Sequence, residues 1–384
     1  MRQRIAVVGA GPAGLTFARV LHRHGHPVTV LERDTAPHAR PQGGTLDLHD
    51  TLGQRALDKA GLLAEFTRLS RPEGQAMRIL AGDGTVLRDW TPRPGERANP
   101  EIDRGRLRDL LLGPLHVRWG TTVTAVEPAA DGGARVRTAD GRSAVFDLVV
   151  GADGAWSRVR PALSPATPHY TGVTYLETHI DDVDTRHPGL ARLIGDGSLA
   201  VFGSDRALVA QRNSGGHVKV YAQLRAPLTW HTDPERHLGL AGQPPLDLTD
   251  PKAVAAFLEA LFDGWAPHLL DLLRHGTAFH HRPLYALPED HTWTHRPGIT
   301  LVGDAAHLMP PLGVGANLAM LEGAELAETL LTAGADLDTA VRAFEQAMWR
   351  RARPYATMAA TGLDRLVSPD PAQAIALFDR LQPA

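Results

Sequence analysis

The chain has 384 residues, 43% of them hydrophobic and 22% charged, and this length predicts a soluble protein of two domains. A formal charge of -3 offers no basic field for nucleic acid or an anionic membrane, and no apolar run approaches the ~20 residues of a bilayer-spanning helix. Cysteine is absent, which excludes disulfides and thiolate chemistry, so any redox chemistry would need a bound cofactor. We expect a cytoplasmic protein that is a monomer or a weak homodimer.

The first part of the chain carries a nucleotide-binding motif. The stretch "RIAVVGAGPAGLTFARVLHRHGHPVTVLER" predicts a strand, a glycine-rich turn, a helix and a second strand. In its G-x-G-x-x-G, the first glycine allows a tight turn, the second lets a pyrophosphate approach the backbone, and the third lets helix and strand pack closely. Glu32 has the spacing of a carboxylate that binds ribose hydroxyls, while Arg33 leaves open a phosphorylated ribose. The predicted site comprises Gly9, Gly11, Pro12, Ala13, Gly14, Glu32 and Arg33, and alone it fits FAD or NAD.

The order of patterns along the chain predicts two interleaved domains. Residues 76–90 alternate like strands of a different sheet, whereas about 165–287 contain short alternating runs and turn clusters. The apolar run "GITLVGD" then resumes the parallel-sheet pattern. We predict an α/β fold with a Rossmann-like nucleotide-binding domain (1–74, 101–164 and 288–340), a smaller strand-rich substrate domain (75–100 and 165–287) and long C-terminal bridging helices (341–384).

A second strand-turn-helix, "ITLVGDAAHLMPPLGVGAN", decides between the two cofactors. Its strand ends in Asp304, whose carboxylate can accept the hydroxyls of a linear polyol when it lies beside the first βαβ unit. The amides of Gly313, Gly315 and Asn317 lie at a helix N-terminus, where the positive end of the helix favours an electron-rich ring and its reduced anion. A nicotinamide cofactor has no linear polyol, whereas FAD has a ribityl chain. The segment therefore predicts FAD.

Three motifs in a fixed order resemble those of the class A flavoprotein monooxygenases, the p-hydroxybenzoate hydroxylase type. They are the G-x-G-x-x-G at 9–14, "DGAWSRVR" from Asp153, and "GDAAHLMPP" from Gly303. Within that family, "GGTLDLH", "PEIDR" and "GDAAHLMPP" are most similar to the flavin monooxygenases that inactivate tetracyclines. The resemblance covers nearly the whole chain and implies an FAD-dependent monooxygenase.

The resemblance also implies further cofactor-binding residues. The arm "RPQGGTLDLH" passes near the flavin in the family, and an arginine of "IDRGRLRDLL" points at FAD, with Arg104 and Arg108 both candidates. Relatives usually have P-x-x-G-Q-G-x-N after the histidine of the third motif. In this chain Pro311 is followed by "LGVGAN", which is one residue shorter and lacks the glutamine. If the flavin position differs from that in relatives, we expect the difference at this loop. The implied residues are Arg40, Gly43, Gly44, Thr45, Asp47, Arg104, Arg108, Asp153, Gly303, Asp304, Pro311, Gly313, Val314, Gly315, Ala316 and Asn317.

The mechanism implied by the resemblance needs no catalytic side chain. NADPH or NADH reduces FAD, O2 forms a flavin C4a-hydroperoxide, and its distal oxygen is transferred to an aromatic or polycyclic small molecule, by hydroxylation in preference to Baeyer–Villiger insertion. There is no second G-x-G-x-x-G, so the nicotinamide cofactor would bind transiently. Two alternatives stay open: a flavin-dependent reductase of an apolar substrate, and a non-catalytic FAD-containing drug-binding protein. A flavin halogenase would show W-x-W-x-I-P, which the seven tryptophans do not provide.

The inserted domain should form the substrate wall. In "GVTYLETHID", Tyr175, Glu177 and His179 share one face of a strand, and a polar face of this kind meets either a substrate or solvent. If it meets a substrate, Glu177 would bind or deprotonate a phenol or enol. Met309 and Leu312 line an apolar pocket or fill ordinary core. The candidate substrate residues are Tyr175, Glu177, His179, Val209, Gln211, Lys219, Met309, Pro310 and Leu312.

The nineteen histidines do not predict a metal site. His22 and His26 stand four apart, but Gly25 ends the helix between them, so one helical face cannot present both. His307 belongs to the third motif, where we expect it to brace the corner between strand and helix.

Overall fold

A computed structural model describes residues 3–130, 132–333 and 336–381 of the chain. The strands in these ranges are β1 (Ile5–Val8), β2 (Val28–Leu31), β3 (Thr45–Asp47), β4 (Met77–Leu80), β5 (Val86–Trp90), β6 (Glu101–Asp103), β7 (Val117–Arg118), β8 (Val123–Pro128), β9 (Ala134–Thr138), β10 (Ser143–Phe146), β11 (Leu148–Gly151), β12 (His169–Ile180), β13 (Ser198–Gly203), β14 (Arg206–Arg212), β15 (Val218–Arg225), β16 (His280–Ala286) and β17 (Ile299–Leu301). The α-helices are α1 (Pro12–Arg23), α2 (Gly53–Lys59), α3 (Leu63–Leu69), α4 (Arg104–Leu112), α5 (Val183–Arg186), α6 (Pro188–Ile194), α7 (Pro234–Leu238), α8 (Pro251–Leu261), α9 (Pro267–Arg274), α10 (Gly315–Thr332), α11 (Leu337–Leu366) and α12 (Ala372–Leu381).

The chain divides into two compact units. Unit 1 comprises Met1–Ser70, Arg104–His169 and Tyr285–Ala360, and unit 2 comprises Arg71–Asp103, Tyr170–Leu284 and Thr361–Ala384. The mixed α/β class, with a parallel sheet and a long C-terminal helix, is confirmed. The assignment of FAD to one domain and substrate to the other stays a prediction. Across the described ranges, no helix is both long enough and apolar enough to cross a membrane.

Unit 1 is built on a five-stranded sheet in the order β17-β11-β1-β2-β7, in which every neighbouring pair is parallel. All four residues of β1 and all four of β11 are buried. Continuous apolar strands of this kind are expected in a parallel sheet that is covered on both faces. A smaller antiparallel sheet, β10-β9-β8, belongs to the same unit.

Two helices of unit 1, α1 and α10, pack at backbone distance. A Cβ placed on Gly323 of α10 would overlap the carbonyl oxygen of Ala13 in α1. Phe17 of α1 and Leu321 and Ala324 of α10 are buried. The close approach brings the N-termini of both helices toward the sheet edge that they follow in sequence.

Unit 2 contains a seven-stranded sheet in the order β16-β12-β15-β14-β13-β4-β5. On β12 the side chains alternate, so Leu176 and Ile180 join a buried apolar cluster that also includes Val220 of β15 and Leu208 of β14. Glu177 and His179, which alternate with them, lie on the opposite face. The apolar cluster therefore covers only one face of this sheet.

A buried carboxylate joins α11 to the segment before β17. Glu345 is fully buried and accepts hydrogen bonds from Trp293 Nε1 (3.0 Å), Thr300 Oγ1 (2.8 Å) and His295 Nδ1 (2.7 Å). His295 Nε2 also lies 2.9 Å from the Asp338 carboxylate. Three donors satisfy one buried anion, which fixes the helix against the end of the sheet.

Replacing Glu345 with alanine should lower the free energy of unfolding by about 3 kcal/mol, because three buried donors lose their acceptor. Denaturant unfolding followed by circular dichroism measures this loss. Gln346→Ala is the matched control, since the next residue on the helix is exposed. Equal losses in the two variants would contradict a stabilising role for the buried carboxylate.

Candidate functional site

Four predicted cofactor residues meet at one edge of the parallel sheet. Gly9 follows β1, Glu32 follows β2, Asp153 lies two residues after β11, and Asp304 lies three residues after β17. These strands are consecutive neighbours in the sheet. Because the carboxyl ends of parallel strands share an edge, residues far apart in sequence form one row. This is the edge at which open α/β sheets bind their ligands.

The first glycine turn leaves an open cradle. Gly9 has φ +106°, and a Cβ there would overlap the carbonyl oxygen of Ala152, so no other residue fits the turn. A Cβ on Gly14 would overlap the carbonyl oxygen of Gly9, whereas a Cβ on Gly11 would have no neighbouring atom within 4 Å. Gly11 is the N-cap of α1, and no side chain caps this helix end. Open space in front of uncapped amides fits a pyrophosphate.

Glu32 has the geometry of a ribose-binding carboxylate. It is buried, and its Oε2 accepts a hydrogen bond from the Ala10 amide (2.6 Å) while Oε1 accepts one from the Asp34 amide (2.9 Å). A carboxylate has about four acceptor positions, so it can still accept hydroxyl groups. The neighbouring Arg33 is exposed.

Arg108 and Arg40 hold the loop that follows Glu32. Arg108 is buried and donates from Nη1 to the Pro37 carbonyl (3.0 Å) and from Nη2 to Asp34 Oδ2 (3.3 Å). The exposed Arg40 donates from Nε to the same carboxylate at 3.1 Å. Both guanidinium groups therefore shape the loop beside the ribose carboxylate.

Arg104 lies instead near the glycines of the "GGTLDLH" arm. Its amide donates to the Gly44 carbonyl (3.0 Å), and its Cδ would lie 3.3 Å from a Cβ placed on Gly43. The charge of Arg104 also acts on Asp304, whose pKa it lowers. Of the two candidate arginines, Arg104 is the one whose charge acts on Asp304.

Asp304 combines an exposed side chain with a carboxyl group whose pKa is raised overall by desolvation from the surrounding protein. The charges of His307 and Arg104 act in the opposite direction and lower the pKa, whereas the charge of Glu322 raises it further. None of the described residues donates a hydrogen bond to its carboxyl oxygens. Both oxygens are therefore available to the hydroxyls of a ribityl chain.

Asp153 presents a second unused carboxylate oxygen. Its Oδ2 accepts a hydrogen bond from the Arg158 amide (2.7 Å), whereas the buried Oδ1 has no partner among the described residues. Burial raises the pKa of this carboxyl group. A buried acceptor without a donor is expected where a ligand supplies the missing hydrogen bond.

Arg160 joins two of the three motifs. It is buried and donates to three carbonyl oxygens, those of Ala155 (2.7 Å), Ala166 (3.1 Å) and Ala305 (3.1 Å). The last of these lies next to Asp304. A charged side chain in a polar loop gives no signal of burial in the sequence, so these contacts depend on the folded structure.

The side chain of Asn317 joins the arm to the loop before α10. It is fully buried, and its Oδ1 accepts from the amides of His49 (2.8 Å) and Gly53 (3.1 Å). Its Nδ2 donates to the carbonyls of Asp47 (2.8 Å) and Gly313 (2.8 Å). All the hydrogen-bonding positions of the amide are thus used, so only the backbone of Asn317 is available to a cofactor.

The loop before α10 has a glycine where backbone geometry requires one. Gly313 has φ +82°, and a Cβ there would lie 3.1 Å from Asp47 Oδ2. Val314 is the N-cap of α10, and no side chain caps the helix. The first amides of α10, those of Gly315, Ala316 and Asn317, therefore form a positive helix end that fits an electron-rich ring. Pro311, also assigned to the cofactor, is exposed in this loop.

His307 braces the third motif from behind. Its Nε2 lies 2.5 Å from Glu322 Oε1, and Glu322 Oε2 accepts the amide of Gly303 at 2.9 Å. Burial alone would lower the pKa of His307, but the charges of Glu322 and Asp304 and the hydrogen bond to Glu322 raise it overall. The ion pair fixes the turn that carries Asp304.

The stability that His307 contributes should decline at alkaline pH. Its folded-state pKa lies above the ordinary value of about 6.5, so the stabilisation is complete below that pH and is lost as the pH rises through the raised pKa. His291 lies nearby, but burial lowers its pKa and leaves it neutral in this range. Thermal unfolding midpoints of the wild type should therefore fall more steeply above neutral pH than those of His307→Gln. Parallel profiles would contradict the assignment.

Comparison with known proteins identifies the family. The family model for the FAD binding domain matches residues 2–226. The chain is 36% identical over 374 residues to the monooxygenase asqM of Emericella nidulans, and the match covers 85% of this chain and 83% of the relative. The chain belongs to the FAD-dependent class A flavoprotein monooxygenases. The resemblance seen in the sequence motifs and the assignment of FAD as cofactor are both confirmed.

Solved structures show that this monooxygenase shares its fold with other family members. The structure of Klebsiella pneumoniae HpxO complexed with FAD and uric acid matches with a TM-score of 0.79 at 22% identity, covering 98% of this chain and 92% of that chain. The tetracycline destructase Tet(51) matches with a TM-score of 0.71 at 17% identity, covering 99% of this chain and 97% of that chain. At these identities the likeness concerns the fold alone.

The candidate substrate residues of the monooxygenase fall into two groups. In unit 2, Glu177 pairs with Tyr221 in the register of β12 and β15, and His179 pairs with Lys219. In unit 1, a loop between β17 and α10 holds Met309, Pro310 and Leu312, of which the first two are buried. The residues on the sheet face opposite the apolar cluster are Tyr175, Glu177, His179, Val209, Gln211 and Lys219. Their contact with a substrate stays a prediction.

Proposed function

We propose that this monooxygenase uses NADPH or NADH and O2 to hydroxylate a mid-sized aromatic or polycyclic small molecule, of the polyketide or tetracycline-like type. The observation that carries the proposal is the row of Gly9, Glu32, Asp153 and Asp304 at one sheet edge, which fits FAD along its length. When bound, FAD supplies the electron transfer and the oxygen activation, and the protein supplies position and a dry environment.

Each part of the row has a separate task. The uncapped end of α1 holds the pyrophosphate, and Glu32 holds the adenosine ribose. Asp304 holds the ribityl hydroxyls, while the uncapped end of α10 lies where it favours a negatively charged ring. Unit 1 is thus the FAD-binding domain of the proposal. Unit 2 is its substrate domain, with candidate substrate residues on the sheet face opposite the apolar cluster, which we call the open face.

Two features support the substrate class. The open face of unit 2 combines aromatic rings, with Tyr175 and Tyr221 at a centroid distance of 6.0 Å, and polar groups that orient a ligand. The motifs "GGTLDLH" and "GDAAHLMPP" are similar to those of tetracycline-inactivating monooxygenases, and Tet(51) shares the fold. These features support a polycyclic substrate without naming one.

The test is a reaction of the FAD-loaded protein with a panel of polyketides that includes tetracyclines. We expect one or more compounds to stimulate NADPH or NADH oxidation together with O2 uptake, and the product to gain the mass of one oxygen atom. Substrate reduction without O2 uptake would identify a reductase. Tight binding without any turnover across the panel would identify a drug-binding protein and overturn the proposal.

A further inference from the structure

An incompletely bonded ammonium group lies on the open face of unit 2. Lys219 of β15 and Glu177 of β12 form an ion pair with Nζ and Oε1 2.8 Å apart, and their side chains are only 10% and 15% exposed. Within the part of the chain that the structure describes, Glu177 is the one hydrogen-bond acceptor of this ammonium. An ammonium group has three N–H donors, and Glu177 accepts from one of them. Leaving the other two without an acceptor at a site this buried is unfavourable. These two donors have no partner among the described residues and can therefore bind a ligand acceptor.

Glu177 is an acceptor beside this donor. Burial alone would raise the pKa of its carboxyl group, but the hydrogen bond and charge of Lys219, with the charges of Arg282 and His280, lower it overall. Arg282 Nε lies 3.6 Å from Glu177 Oε2. The carboxylate is therefore ionised and weakly basic, which suits hydrogen-bond acceptance better than removal of a proton.

Aromatic and apolar side chains flank the pair. Tyr221 stands directly opposite Glu177 across the strands, and Val209 stands opposite Tyr221 on the other side. Tyr175 tilts against Tyr221, with an angle of 58° between the ring planes. Burial and the proximity of Tyr221 raise the pKa of Tyr175, so this phenol stays neutral. A planar ring can pack on this surface while its edge meets the ion pair.

We propose that Glu177 and Lys219 together recognise a planar aromatic substrate in which an N–H or O–H donor stands next to a carbonyl oxygen, as in an amide, a lactam or a hydroxy-carbonyl. The donor would bind the carboxylate of Glu177 and the carbonyl oxygen would bind the ammonium of Lys219. A carboxylate substrate fits poorly, because both of its oxygens are acceptors and Glu177 would repel it. This inference rests on the proposed function, since it names the substrate of that same site.

The test measures binding to the oxidised FAD-containing protein, followed by the change in the visible flavin spectrum and by calorimetry. The probes are naphthamide, N,N-dimethylnaphthamide, naphthoate and a hydroxynaphthaldehyde. We expect naphthamide to bind about tenfold or more tightly than its dimethyl derivative, which has lost the donor, and than naphthoate. The affinity for the hydroxynaphthaldehyde shows whether an O–H donor beside a carbonyl oxygen is recognised in the same way as an N–H donor. Tighter binding of naphthoate than of naphthamide would overturn the proposal.

Variants locate the effect at the ion pair. Glu177→Leu should reduce the preference for naphthamide over its dimethyl derivative to about twofold or less, because the carboxylate that accepts the N–H donor is lost. Glu235→Leu is the matched control, since Glu235 is an exposed glutamate of the same unit. If Glu177→Leu fails to fold, the double variant Glu177→Gln with Lys219→Met removes both charges together. An unchanged preference in a folded variant would overturn the proposal.

The outcome is separable from that of the proposed function. If NAD(P)H oxidation and O2 uptake respond to polyketides while naphthamide and its dimethyl derivative bind equally, only the recognition of a donor beside a carbonyl is wrong. If the preference is present and depends on Glu177 but no compound stimulates O2 uptake, only the oxygenase function is wrong.

Discussion

Replacing Asp304 with alanine should give a folded protein that is purified without FAD. The side chain is exposed, and its carboxyl oxygens have no donor among the described residues, so they are available to the ribityl hydroxyls. Hydrogen bonds to a charged group contribute about 1.5–3 kcal/mol each, so the loss of two should weaken FAD binding by a factor on the order of 100 or more. The visible flavin absorbance after gel filtration and the Kd from fluorescence titration with FAD measure the loss.

Two further variants separate hydrogen bonding from general disruption. Asp304→Asn keeps one acceptor oxygen and should fall between the wild type and Asp304→Ala in FAD affinity. Asp263→Ala removes an exposed carboxylate in unit 2 and should leave the flavin in place. A wild-type FAD content in Asp304→Ala would show that the polyol assignment is wrong.

The strand-end residues could be predicted because their signals are local. Gly9 and Asp304 each lie at the end of an apolar run that is followed by a helical pattern, and the chemistry of each position depends on a few neighbouring residues. The sequence does not contain the order of the strands. Only the parallel pairing of β17 with β11 and of β11 with β1 shows that these two turns lie on the same edge, with one strand between them.

The supporting side-chain contacts could not be predicted, because the partners are distant in sequence. Asn317 bonds to residues that precede it by 268 and 270 positions, and Arg160 bonds to a carbonyl 145 positions away. Neither residue has a side chain that signals burial, since both are polar types that usually lie at the surface. Such contacts follow from the assembled sheet and cannot be derived from spacing.

For the open face of unit 2, the sequence predicted which residues of β12 share a face but not their partners on the neighbouring strand. Alternation on β12 placed Tyr175, Glu177 and His179 on one face, and the structure puts the apolar cluster on the other. The ion pair between Glu177 and Lys219 depends on the antiparallel register of β12 with β15, which a one-residue shift would abolish. That register is a property of the folded sheet.

Replacing Asn317 with aspartate should lower both the stability of unit 1 and its affinity for FAD. The new carboxylate could still accept from the amides of His49 and Gly53, but it would face the carbonyls of Asp47 and Gly313 with an acceptor in place of a donor. Burying an unpaired charge in this position should lower the free energy of unfolding by about 3 kcal/mol or more. Because the arm and the loop would separate, the Kd for FAD should rise about tenfold or more.

Lowering the pH distinguishes this role from a merely structural one. Burial and the facing carbonyls should raise the pKa of the new carboxyl group, so below that pKa its O–H donates again and FAD affinity should recover in part. Asn99→Asp is the matched control, since Asn99 is exposed, and it should show neither the loss nor the recovery. A lowered unfolding midpoint with wild-type FAD affinity at every pH would mean that Asn317 stabilises the fold without positioning the segments that meet the cofactor.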